Sequence, residues 1–459
     1  MERISSSFRD PDGFVYRENG TLLRQVNLGY KEHYEALINS GLYAELVDAR
    51  LLVPHQERPI GSTSAPDAFR VIEPLEIPMV SYPYEWSFGQ LKDAALTTLE
   101  IQKRALAHGM TLKDASAYNI QFHEGSPILI DTLSFECHQP GSPWIAYRQF
   151  CQHFLAPIAL MSYVDVRLGR LLERFLDGVP LDLTSTLLPK RTWARLSIAL
   201  NIHLHARSIQ RYSDPPPERN TRARTVGKHG LQGLVDNLES AIRRLDWSPI
   251  STEWVGYEDS HGYSSEGLAA KKRIVLDWLE EIGPRIVWDL GSNTGLFSRL
   301  AAREAQLVVA VDADPAAVEI LYRRIKHDDE RHVLPLWIDL TNPSPAVGWG
   351  LQEHNALFNR GHADVIIALA LVHHLAIGAN IPLTSIARLF ADLAPQLIIE
   401  FVPKEDLQVQ RLLSSREDIF PHYNRAAFEQ IFSRFFTICR SVHVPDTDRW
   451  LYQMARVAV

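Results

Sequence analysis

Cysteine is scarce in this chain: Cys137, Cys151 and Cys439 are the only three in 459 residues, far apart and with no C-x-x-C pair. That usage excludes a disulfide framework and a cysteine zinc cluster, and it fits a reducing compartment. Long apolar runs are missing as well. The richest patch, Phe154 to Val164, is too short to span a bilayer and contains Pro157. The opening residues, Met-Glu-Arg-Ile-Ser-Ser-Ser, carry no apolar signal core. An excess of positive charge is also absent, since 47 Lys and Arg stand against 55 Asp and Glu for a net charge of -8. Neutralising a phosphate backbone takes a basic face, so this balance argues against a dedicated nucleic-acid binder. The expectation is a soluble, cytoplasmic protein with no bound metal and no membrane span.

The length suggests two or three domains, and 46% apolar residues suffice for ordinary cores. Residues 211–230 hold three consecutive prolines, Pro215 to Pro217, and five basic against two acidic residues, with few apolar ones. Such a stretch cannot bury a core and reads as a solvated linker between a domain at 1–210 and another at 231–459. After it, Leu231–Asp246 carries a helical apolar stripe, and Glu266–Ile282 is a second helix closed by Gly283-Pro284. Strands then alternate with helices: Leu307–Val311, Val333–Ile338, Val365–Leu369 and Leu397–Phe401 read as strands, Pro315–Lys326, Ile381–Leu393 and Arg425–Phe435 as helices. This order predicts an α/β, doubly wound, mostly parallel Rossmann-like sheet. Phe436–Val442 and Trp450–Val457, joined around Pro445-Asp446, predict a terminal β-hairpin on its edge.

Residues 286–295, Ile-Val-Trp-Asp-Leu-Gly-Ser-Asn-Thr-Gly, carry the most information. Apolar residues run into Asp289, a loop bounded by Gly291 and Gly295 follows, and a helix begins at Leu296. Strand, tight turn and helix start open a nucleotide-type site. The loop lacks the G-x-G-x-x-G that cradles a pyrophosphate, and Leu296 stands where a phosphate-binding loop carries Lys. An adenosine ligand without phosphate fits better. Asn293 can replace a glycine because Asn tolerates the left-handed conformation. Val308-Val-Ala-Val-Asp312 is an apolar strand ending in a carboxylate 17 residues after Gly295, suited to accept both ribose hydroxyls. Trp337-Ile-Asp339 brings a third carboxylate, placed for an adenine amino group or for capping the turn at Thr341.

Together these segments resemble class I S-adenosylmethionine-dependent methyltransferases over about residues 250–459. Asp289-Leu-Gly-Ser-Asn-Thr-Gly295 matches the family's first motif, with Asn293 where glycine is commoner. The resemblance implies a seven-stranded sheet whose last strand is antiparallel, and S-adenosyl-L-methionine as cofactor. It places Gly291, Asn293 and Gly295, below Asp289, under the methionine part, Asp312 on ribose and Asp339 on adenine.

The fourth strand runs into Val372-His-His-Leu375, beside the transferable methyl at the switch point. It carries neither a D/N-P-P-Y/F/W motif nor a cysteine, which argues against amino or covalent C5 methylation of nucleic-acid bases. His373 and His374 are candidate general bases; lining or capping the pocket is the alternative. Glu400 ends the fifth strand and Tyr263 precedes the first, and both are candidate substrate contacts. Trp254, Tyr257 and Tyr263 form an aromatic lid or pack the domain start. The favoured acceptor is a small-molecule or carbohydrate-type metabolite, with a protein acceptor open.

Residues 1–210 read as an α+β domain, expected to recognise the substrate. Phe14–Val26 is a hairpin with an Asn-Gly turn, and Phe88–His108 a helix. The helix, Asp114, Asn119, and Asp131 ending an apolar strand resemble the catalytic segment of kinase-like and aminoglycoside-phosphotransferase-like folds over about residues 85–136. There Asp114 would be the base, and Asn119 and Asp131 would hold Mg²⁺. A Gly-rich loop and a V-A-I-K-like strand are lacking, and capping of turns by Asp114 and Asn119 is the plain alternative.

Overall fold

Val287, Trp288, Asp289 and Leu290 are all buried, as befits Ile286–Leu290 (β1), an interior strand of a seven-stranded sheet. In the computed structural model, residues 2–61, 66–207, 226–249, 263–414 and 417–457 are described. The expected linker up to residue 225 and the aromatic residues Trp254 and Tyr257 lie outside these. The chain divides into two compact units, one of Met1–Ser248 with Ala346–Asn355, the other of Pro249–Pro345 with Ala356–Val459.

The second unit carries β1 and six further strands: Leu307–Asp312 (β2), Val333–Trp337 (β3), Val365–Ala368 (β4), Gln396–Phe401 (β5), Phe436–His443 (β6) and Trp450–Arg456 (β7). Their order is β3-β2-β1-β4-β5-β7-β6. The first five pair in parallel. β7 runs antiparallel between β5 and β6, with a bulge at Ile438/Arg440. The near-continuous apolar runs of the five parallel strands are what a sheet covered on both faces requires. The helices are Ser265–Ile282 (α1), Leu296–Ala301 (α2), Pro315–His327 (α3), Leu383–Leu393 (α4), Leu407–Ser414 (α5) and Arg425–Phe432 (α6). Ser264 caps α1 by accepting from Gly267 N, and Gly283 ends it at φ 59°.

In the first unit an antiparallel sheet takes the order Glu2–Arg3, Gly13–Glu18, Thr21–Asn27, Ala68–Pro74, His55–Arg58. The turn at Asn19 (φ 51°) and Gly20 (φ 86°) joins the hairpin that the Asn-Gly pair predicts. Val26, Tyr30, Tyr34, Phe69, Ile72 and Leu133 form a core cluster of this unit. Helix Phe88–Ala107 follows, with a capping box between Ser87 and Gln90.

Two boundaries differ from expectation. Helix Lys228–Arg244, read from sequence as the start of the second domain, belongs to the first unit. Its apolar stripe of Leu231, Val235, Leu238 and Ile242 is buried there. Lys103 pairs with its Asp236 at 2.6 Å, and Lys92 donates to Leu245 O at 2.6 Å. The stripe was legible, but its partner helix is more than 120 residues earlier. The second difference is Ala346–Asn355, which leaves the α/β succession after β3 and joins the first unit. Within it Val347 pairs with His354. His354 stacks on Tyr118 with ring centroids 4.4 Å apart, Asn355 N donates to Tyr82 Oη at 2.9 Å, and Glu353 meets Arg9 at 2.6 Å.

Candidate functional site

The loop after β1 turns on three residues in the left-handed region: Gly291 (φ 78°), Asn293 (φ 49°) and Gly295 (φ 85°). Asn293 N donates to Asp312 Oδ2 at 2.7 Å, and Gly291 N and Ser292 N donate to Val311 O. The loop is therefore strapped to the end of β2. A Cβ on Gly291 would come 3.1 Å from Leu371 Cδ1, and one on Gly295 would overlap Leu321 Cδ1 at 2.2 Å. Both positions demand glycine twice over, by conformation and by space.

A cleft of about 560 Å³ opens outside the carboxyl ends of β1, β2 and β4, lined by Gly291, Asn293, Asp312, Asp339, Ala370 and His374 among others. A smaller cavity of about 80 Å³ shares Gly291, Asn293, Leu369 and Ala370 with it, and adds Tyr263, Lys271, Asp289, Ser292 and Phe297. Burial pushes the Asp312 carboxyl up to about 6, against hydrogen bonds from Asp314 N and Asn293 N. Burial pushes Asp289 up to about 7, opposed by Ser298 Oγ, which donates to Asp289 Oδ2 at 2.6 Å. Asp339 caps the following turn, Oδ1 accepting from Thr341 N and Oγ1 at 2.8 and 2.7 Å, while its residue lines the cleft. The capping role read from sequence is the one this side chain makes here.

The two histidine rings lie side by side, with centroids 4.1 Å apart, but only one reaches the cleft. His374 lines the cleft, and burial pulls its imidazole down to about 4. His373 is fully buried, and neither ring nitrogen has a partner among the described residues. Burial, with His374, Arg449 and Lys271 nearby, holds it well below the ordinary histidine value. Burial thus favours the neutral form of both rings.

Glu400 does not face a substrate rim. It is fully buried, with every contact internal: Oε1 accepts from Tyr263 Oη, and Oε2 from Lys271 Nζ and Ala370 N, both at 2.8 Å. Burial pushes its carboxyl up, but Lys271 and Arg449 outweigh that and hold it below the usual carboxylate range. Lys271 Nζ is 3.0 Å from Tyr263 Oη, and the Arg449 guanidinium lies 4.5 Å over the Tyr263 ring. Arg449 in turn donates from Nε to Asp406 at 2.7 Å. This cluster pins Ala370, a non-glycine residue at φ 50°, at the lip shared by both cavities. Sequence reading missed Lys271 and Arg449. Lys271 had a signal, because it interrupts the apolar stripe Leu268-Val275-Trp278-Leu279 of α1; Arg449 had none.

In the first unit, Asp114 Oδ1 accepts from Ser116 N at 2.9 Å and from Gln149 Nε2 at 2.8 Å. Asp131 caps the turn at Thr132–Ser134 through Leu133 N at 3.0 Å and pairs with Arg24 Nη1 at 2.6 Å. Asn119 Nδ2 donates to Ser134 Oγ at 3.3 Å.

The strand order, the antiparallel last strand and the loop over β1 define the second unit as a class I S-adenosylmethionine-dependent methyltransferase fold. The chain belongs to the family of nodulation protein NoeA: it is 34% identical over 461 residues to that protein from Rhizobium meliloti (strain 1021), covering 99% of this chain and 96% of the relative. No protein-family model matches it. Among solved structures it is similar to N-methyltransferase NodS from Bradyrhizobium japonicum WM9 (14% identity, 42% of this chain, 99% of that one, TM-score 0.33). It is also similar to magnesium protoporphyrin IX methyltransferase from Synechocystis PCC 6803 with bound SAH (19%, 42% and 84%, TM-score 0.30).

Proposed function

We propose that this chain transfers a methyl group from S-adenosyl-L-methionine to a small-molecule or carbohydrate-type acceptor. The observation that carries the reading is one cleft walled by a left-handed loop, Asp312 at the tip of β2 and Asp339 after β3. Asp312 accepts the ribose hydroxyls and Asp339 meets the adenine edge. The adjoining cavity suits an amino-acid head group, because it offers the Lys271 cation, the Asp289 carboxyl and the buried, unpartnered Ser292 Oγ together. The sulfonium supplies an activated methyl. The residues of this chain hold donor and acceptor in line and exclude water. His374, neutral at the cleft wall, accepts a hydrogen bond from an acceptor hydroxyl or amine and orients it. The relative's name attaches it to nodulation, and we extend a part in that process to this chain. Calorimetry with S-adenosylhomocysteine on the full chain tests the cofactor; no heat of binding sinks the proposal. Comparing metabolites of a deletion strain for a loss of one CH₂ identifies the acceptor.

A phosphotransferase centred on Asp114 and Asp131 is the second reading, and the antiparallel sheet followed by a helix and a hairpin favours a kinase-like fold for the first unit. The residues do not fit the magnesium ion such chemistry needs, because the Arg24 guanidinium already neutralises Asp131. A thermal shift with Mg²⁺-ATP that is lost in Asp131→Ala would favour this reading over that objection.

A further inference from the structure

Between Leu183 and Arg207 the chain has no Asp or Glu and carries Lys190, Arg191, Arg195 and Arg207, in a protein of net charge -8. Helix Leu181–Leu187, the turn Lys190–Ala194 and the helical run 196–207 form this region of the first unit. One side of the last run is buried through Ile198, Ala199, Ile202 and Ala206. The other presents Leu196, Leu200 and Leu204, four residues apart and 70%, 44% and 45% exposed. Leu187 and Trp193 are exposed beside them.

The surface is built, not frayed. His203 bonds Ser185 Oγ at 2.7 Å and Thr192 Oγ1 at 2.8 Å, tying the three pieces together. Trp193 stacks on His203 at 4.3 Å, and the Arg207 guanidinium lies 4.4 Å over the indole. Among the described residues, Lys190, Arg191 and Arg195 have no carboxylate partner.

We propose that residues 187–207 dock this protein onto an anionic lipid surface, with the leucines and Trp193 in the acyl boundary and the four cations among the headgroups. An aliphatic stripe with a tryptophan and an acid-free basic rim matches a partner that is apolar within and negative at its edge. A two-fold dimer through this face would set the same cations against each other. A nucleic acid would leave the leucines without a partner, since bases stack on aromatic rings.

The test is flotation of the full chain with vesicles of phosphatidylcholine alone or mixed with phosphatidylglycerol. Binding is expected to the mixed vesicles only, and to weaken with salt. R191Q/R195Q should lower affinity about five-fold per charge, roughly 25-fold in total. L196S/L200S/L204S should abolish binding while leaving the melting temperature unchanged. No flotation with either vesicle overturns the proposal. So does binding that survives the leucine substitutions, or light scattering in which the same substitutions dissolve a dimer.

Discussion

Replacing Asp289 by Asn should stabilise the cofactor-free protein at pH 8 and leave it nearly unchanged at pH 4.5. Burial lifts this carboxyl from its ordinary value of 3.8 to about 7. The folded state therefore holds a proton through a window in which the unfolded chain has released it. Stability falls as pH rises through that window, by about 1.4 kcal/mol per pH unit. Above pH 7 the folded protein carries a buried charge whose accumulated cost is about 4 kcal/mol. Asn keeps the shape and can still accept from Ser298 Oγ, but carries no charge at any pH. In a unit of about 200 residues, 1 kcal/mol moves the melting temperature by about 2–4 °C. The variant should melt about 8–16 °C above the parent at pH 8, with the gap closing towards pH 4.5. Differential scanning calorimetry of both proteins across that range measures it. A gap independent of pH, or a less stable variant at pH 8, would refute the linkage argument.

Four further outcomes are expected. Gly291→Val should abolish S-adenosylhomocysteine binding in calorimetry, since it forces a β-branched residue to φ 78° against Leu371. Affinity for the same ligand should be flat above pH 7 and fall up to about tenfold per pH unit below pH 6, as Asp312 takes up a proton and loses an acceptor site; Asp312→Ala should remove binding at every pH. Lys271→Met should cost about 3–5 kcal/mol in urea unfolding by stranding Glu400, and a second change, Glu400→Gln, should restore most of it. His373→Ala should leave ligand affinity largely unchanged in calorimetry, because His373 does not line the cleft, whereas equal loss in His373→Ala and Gly291→Val would place His373 at the ligand.

What the sequence made legible was local. Periodicity located the strands from Ile286 to Phe401, and the Gly291–Gly295 loop follows from the types of residue that accept positive φ. Asp312 stands where the apolar run put it, at the end of β2 and on the cleft wall. What escaped depends on distant partners. Glu400 looked like a strand-end charge because Lys271, Tyr263 and Arg449, which surround it, come from elsewhere in the chain. His373 and His374 are adjacent letters with neighbouring rings, and only His374 reaches the cleft, a difference set by the backbone turn after Ala370. The stripe of helix Lys228–Arg244 declared an apolar face without naming what it packs on.

The excursion of Ala346–Asn355 sets a timetable for synthesis. Tyr118, Tyr82 and Arg9 have left the ribosome long before His354, Asn355 and Glu353 exist to meet them. At about 5–20 residues per second, the interval between Ser248 and Asn355 lasts about 5–20 s. For that time the first unit waits incomplete, with aromatic rings uncovered, while β1 to β3 of the second emerge behind it. The two units are thus born interleaved, and no single cut of the chain yields either of them whole.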